Sequence, residues 1–88
     1  MKTLNKADGL VVRELDQETV ILNTKTGYIH ILNPTGTVIW KLLDELDTFD
    51  AVVDAMSKLY NHIDLATIHA DVTEVIADML EHRIICEN

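Results

Sequence analysis

Cysteine is almost missing from this 88-residue chain, which has only Cys86. No internal disulfide can form, so a reducing compartment, the cytoplasm, is the expected home. Proline occurs once and glycine three times, against 48% hydrophobic residues. That is too few breakers and too much apolar content for a disordered segment, so the chain is expected to fold. Basic residues are also scarce. Seven Lys plus Arg face fifteen Asp plus Glu, a formal net charge of −8 with a sequence pI near 4.7. Nucleic-acid affinity rests largely on counterion release by Lys and Arg, so DNA and RNA are disfavoured as partners, and a basic peptide suits the charge better. Long apolar runs are lacking too. Nothing approaches the roughly 18 apolar residues of a membrane span, and the opening Met-Lys-Thr-Leu-Asn-Lys leads into Ala-Asp-Gly rather than a signal-peptide core. No membrane partner and no secretory signal are expected.

At this length one core and one domain, residues 1–88, are expected. Leu10–Leu15 and Thr19–Thr24 are short β-branched runs separated by the polar Asp16-Gln17-Glu18, which reads as a hairpin. Lys25-Thr26-Gly27 offers a second turn, because glycine takes positive φ without strain, and it leads into a third strand at Tyr28–Leu32. Asn33-Pro34 then starts a helix, since the missing N–H of proline is harmless in a first turn. Val38, Ile39, Leu42, Leu43 and Leu46 form its buried stripe, with Trp40 off the centre.

Asp47-Thr48 can cap a second helix bearing Phe49, Val52, Val53, Met56, Leu59 and Tyr60 and ending near Asn61. Asp64 or Thr67 can cap a third bearing Ile68, Val72, Val75, Ile76, Met79 and Leu80, with Arg83 compensating the dipole at its end. Ile84-Ile85-Cys86 is a closing strand or a packed tail. Strands first and helices after mark an α+β fold, three antiparallel strands followed by three helices.

No catalytic arrangement is apparent. Ser57 falls inside a helix, Cys86 in the tail, and His30, His62, His69 and His82 are scattered. The chain is therefore expected not to be an enzyme and to need no cofactor or metal. His82 and Cys86 would share a helix face only if the helix continued past Ile84, and a metal pair there is the weaker reading. The Asp-Ser-Leu context of acyl carriers is absent. Asp71, Glu74, Asp78 and Glu81 recur at spacings of three, four and three, either as a solvated face or as an acidic rail for a basic ligand.

The third strand carries the most informative pattern. Tyr28 and His30 point to one face and Ile29 and Ile31 to the other, so one pair is less buried. As the last strand of a meander it is an edge, and from Tyr28 to Leu32 it has no Lys, Pro or bulge to blunt it. An unprotected edge is covered by the protein itself, for instance by its tail, or used for strand addition of an extended peptide, which is favoured here, or open to association with a second copy, a possible homodimer.

Leu32-Asn33-Pro34-Thr35-Gly36, followed by Ile39-Trp40-Lys41-Leu42-Leu43-Asp44, resembles the Leu-Asn-x-Thr-Ala/Gly-x-x-Ile-x-x-Leu segment of PqqD-like proteins, the RiPP recognition elements. Val52-Val53 through Leu59-Tyr60, and Asp71-Val72 through Met79-Leu80 to Ile84-Ile85, match the later helices and the ending of that family. The resemblance implies a winged helix-turn-helix-like fold that takes the leader of a ribosomally made precursor as an added strand, with no chemistry of its own. It places the peptide-binding groove between Tyr28, Ile29, His30, Ile31 and Leu32 on one side and Val72, Val75 and Met79 on the other, with Asp71, Asp78 and His82 at the rim. It also implies a maturase as second partner, a radical SAM enzyme or a leader peptidase. The segment Leu32, Asn33, Thr35, Ile39 and Leu42 is expected to be scaffold rather than contact. A winged-helix transcriptional regulator is the competing reading of the same architecture; the acids of the third helix oppose it.

Overall fold

The structure, a computed structural model, describes residues 2–88. Strands β1 (Leu4–Lys6), β2 (Leu10–Leu15), β3 (Glu18–Asn23) and β4 (Ile29–Leu32) precede helices α1 (Pro34–Leu42), α2 (Phe49–Leu59) and α3 (Leu65–Glu81), and β5 (Ile85–Glu87) follows. The expected three-strand meander is the antiparallel sheet β2-β3-β4. Two strands are additional: β1, which the sequence pattern does not announce, pairs antiparallel with β5 in a separate two-stranded ribbon.

The turns follow from local chemistry. Leu15 pairs with Glu18, so the β2–β3 loop is the two residues Asp16-Gln17, one shorter than expected. Asp16 takes φ 52° there, as the primed turns that match strand twist require. Between β3 and β4, Gly27 sits at φ 79°. Its N–H donates to the Asn23 carbonyl at 2.8 Å, and the Asn23 N–H donates to the Tyr28 carbonyl at 2.9 Å, a glycine bulge that closes the hairpin.

Each helix begins on a side-chain cap. The Gly36 N–H donates to Asn33 Oδ1 at 2.8 Å ahead of Pro34, the Ala51 N–H to Thr48 Oγ1 at 3.2 Å, and the Thr67 N–H to Asp64 Oδ1 at 2.8 Å. Trp40 is buried rather than marginal, at 3% exposure, because Lys6 of β1 lies over its ring at 4.1 Å and covers the side that a helix stripe alone would leave wet. The second helix stops at Leu59, with Tyr60 as its C-cap. A buried hydroxyl pair, Thr19 to Thr37 at 3.0 Å, ties β3 to α1, and the Thr37 hydroxyl also lies 3.4 Å from the Leu32 carbonyl.

The end of α3 determines where the tail goes. The Ile84 N–H donates to the Met79 carbonyl and the Arg83 N–H to the Leu80 carbonyl, both at 3.1 Å, a Schellman closure with Arg83 left-handed at φ 59°. Arg83 is thus the residue that turns the chain, one position past the C-cap His82. The closure buries Ile84 against Met79, both 1% exposed, and directs Ile85 to β1 at Lys6. The buried apolar side chains form one cluster, with Ile21, Ile39, Val52 and Val72 at 0% exposure.

Candidate functional site

Strand β4 is bonded to β3 through Thr19↔Leu32, Val20↔Ile31, Ile21↔His30 and Leu22↔Ile29. Its other edge has no strand partner among the described residues, since the tail that might have sealed it pairs with β1. Antiparallel pairs alternate between bonded and non-bonded. Asn23 and Tyr28 are bonded across the bulge, so Leu22↔Ile29 and Val20↔Ile31 are the non-bonded pairs. The N–H and C=O groups on the open edge are therefore those of Ile29 and Ile31. His30 and Leu32 spend theirs on β3, so two residues of the unblunted run present both main-chain groups to the open side.

Cross-strand partners share a face. His30 and Leu32 lie opposite Ile21 and Thr19, both fully buried, and Leu32 is itself buried. Ile29 and Ile31 stand on the outer face, 63% and 66% exposed, and Tyr28 is 69% exposed. The isoleucines are thus the wet set. Partners of outward residues, Val11 and Val20 among them, extend this apolar outer face over all three strands.

Beside the open edge a groove of about 490 Å³ runs between β4 and α3. Ile31, Leu32, Gly36, Val75, Ala77 and Met79 contribute its apolar lining, and Glu74, Asp78 and Glu81 its acidic one. A smaller hollow of about 210 Å³ adjoins it, sharing Asn33, Glu74 and Val75 and adding Asp71. The four acids of α3 are all exposed and lie along this side. Val72, expected in the groove wall, is 0% exposed and belongs to the core; in a helix packed on two sides its position in the apolar stripe faces inward. Met79 is 1% exposed and offers only a sliver of floor. Glu74, Glu81, Ala77, Asn33 and Gly36 line the groove beyond the expected residues. The acid periodicity signals the first two. The cap residues carry no such signal, because their cap role already explains them.

At one end of the groove His30 meets His82, ring centroids 4.8 Å apart at 57°. His82 Nδ1 lies 2.9 Å from the Asp78 carbonyl oxygen and 3.3 Å from its carboxylate. His30 Nε2 is buried and makes no hydrogen bond among the described residues. Desolvation, then the nearby His82, push the His30 pKa below its ordinary 6.5, with Asp78 opposing. The native state thus prefers the neutral ring, and the unfolded chain binds the extra proton first as pH falls. Stability is expected to be fully present above pH 6.5 and to decline as pH drops through the lower folded value. Urea midpoints measured from pH 8 down to pH 5 check this: His30→Gln should flatten the decline relative to the parent chain.

Cys86 lies on β5 with Sγ 3.6 Å from the Asn5 carbonyl, and α3 ends at Glu81, so the four-residue spacing of His82 and Cys86 does not place them on one helix face. No helix among the described residues is long and apolar enough to cross a membrane.

An open-edged, three-stranded antiparallel sheet carrying three helices, one of them walling the free edge, defines a winged-helix-like α+β domain. The chain belongs to the PqqD family: the family's sequence model, described as coenzyme PQQ synthesis protein D, matches residues 18–85. Two solved structures are similar throughout. TbiB1 in complex with the TbiA(beta) leader peptide is 27% identical, with a TM-score of 0.82 over 92% of this chain and 93% of that one. A lasso peptide synthetase B1 complexed with the leader peptide shares the fold at 17% identity, with a TM-score of 0.80 over 94% and 96%. No curated protein matches in sequence.

Proposed function

We propose that residues 1–88 act as one leader-peptide recognition element: the chain takes an extended segment of a ribosomally made precursor as a fourth strand on β4 and holds it for a modifying enzyme. The free main-chain edge at Ile29 and Ile31, beside an apolar and acidic groove, carries this reading. The two leader-bound structural neighbours support it.

The magnitudes are adequate. Two residues with both groups free accept four main-chain bonds, each worth a net ~0.5–1.5 kcal/mol. One or two guest side chains seated against Val75 and Leu32 would add ~1.5–3 kcal/mol each. After ordering costs, micromolar or tighter affinity remains. The acids of α3 favour a guest with Lys or Arg among its anchors. Tyr28, Ile29, His30, Ile31 and Leu32 form the strand side of the site; Asp71, Val75, Asp78, Met79 and His82 form the helix side. Catalysis is left to the partner, a radical SAM maturase or a leader peptidase. The lone cysteine, exposed and free, suits a reducing compartment such as the cytoplasm.

Titrating isotope-labelled protein with the leader half of a precursor encoded beside its gene tests the reading. Amides of Ile29, Ile31 and residues 74–82 should shift most. Shifts centred on α2 or on the β1–β5 ribbon would overturn it.

A further inference from the structure

Soluble domains rarely leave an apolar strand bare at the edge of a sheet, because such an edge recruits whatever strand it meets. Strand β4 is bare in two respects. Ile29 and Ile31 present their main-chain groups to the open side, and their side chains stand exposed on the outer sheet face. Their cross-strand neighbours on that face, Leu22 and Val20, are apolar and half-buried. The charged residues of the face, Arg13 and Glu18, lie on β2 and at the β2–β3 hairpin. A strand with one wet face ordinarily alternates apolar inward and polar outward. Here isoleucine stands twice where that pattern asks for a polar residue.

Side chains directly opposite one another in a sheet share a face, with Cβ atoms about 4.5–5.5 Å apart. Every pairing in this sheet is antiparallel. In a guest strand added the same way, the residues bonded to Ile29 and Ile31 are two apart, and their side chains fall on the outer face against those isoleucines. The residues opposite His30 and Leu32 turn inward, toward the groove. The outer contacts use no part of the groove.

We propose that Ile29 and Ile31 form a second specificity surface, one that selects a leader whose two outward residues are apolar and β-branched or aromatic. This deepens the strand-addition reading and rests on it. A charged residue at either position would be partly desolvated without a partner, and a small polar one would leave the isoleucine wet. Val, Ile, Tyr or Phe would cover it and gain the cross-strand packing that pleated surfaces favour. Pair packing and the apolar area covered together are worth roughly threefold to tenfold in affinity at each position.

The isotope-labelled chain, bound to the leader half of the precursor encoded beside its gene, reveals the two guest positions through cross-strand NOEs to Ile29 and Ile31. Replacing each guest residue by Ser should weaken binding roughly threefold to tenfold by fluorescence anisotropy. Ile29→Ser and Ile31→Ser should weaken it by a similar factor; in those chains the guest replacement opposite the changed residue should cost less than about twofold, because the contact is already gone. Both isoleucines are exposed, so the variants keep the core. Val11→Ser, exposed on the same face but two strands away, should leave affinity unchanged. Three results would overturn the inference while β4 amides still shift and strand addition stands: native leader residues that are charged at these positions, guest replacements without cost, or a cost undiminished in the Ile29→Ser and Ile31→Ser chains. If the β4 amides do not shift, strand addition itself fails and the inference with it.

Discussion

Ile31→Pro is expected to reduce leader-peptide affinity by more than tenfold while leaving the fold intact. Proline has no N–H to donate, and its ring occupies the space through which the guest strand must approach. Because the Ile31 N–H lies on the open side of β4, no existing ladder bond is lost; proline is tolerated on edge strands in just this position. His30→Pro should behave in the opposite way. It deletes a bond from β4 to β3 opposite the fully buried Ile21, so the sheet itself should loosen. Fluorescence anisotropy with a labelled leader, together with urea midpoints for both variants, separates the two. Loss of binding with stability retained in His30→Pro, and loss of stability in Ile31→Pro, would mean that the hydrogen-bond phase assigned to β4 is inverted.

The second large effect is expected on the helical wall. Val75 is half-buried in the groove and packs on the edge of the core. Val75→Asp places a carboxylate where a guest's apolar side chain would sit, among Glu74 and Asp78, and should lower leader affinity by roughly tenfold or more at a modest cost in stability, because the new charge keeps access to water. Met79→Asp, four residues on, should unfold the protein: Met79 is 1% exposed, and an unpaired charge there ranks among the most damaging substitutions. The same anisotropy assay with circular dichroism distinguishes a lost contact from a lost fold.

The contrast between Val75 and Met79 also shows what the sequence could and could not reveal. Strands, helices and caps were legible because each rests on local chemistry: β-branched runs for β2 and β3, Gly27 at positive φ, Pro34 at the first turn of α1, Thr48 and Asp64 as caps. The edge character of β4 followed from its place as last strand of a meander. The depth of each α3 residue was not legible. Val72, Val75 and Met79 occupy one stripe, and only the packing of two further elements decides which of them meets solvent. Strand β1 was hidden for a related reason, since three residues form a strand only when β5 is delivered to them from the far end of the chain. The burial of Trp40 is hidden with it, because its cover comes from Lys6 of that strand. The four acids of α3 recur at helical spacing, yet such a row has two possible neighbours, water or a groove, and periodicity does not choose between them.

The β1–β5 ribbon has a consequence for how the molecule joins to other chains. Leu4 pairs with Glu87, so both termini emerge side by side, and they leave from a ribbon outside the sheet that offers the open strand. A host polypeptide spliced in at both ends would need only short connectors and would not strain the sheet. The unit is thus mechanically suited to transplantation as a cassette, tethered through a ribbon that takes no part in the open-edged sheet.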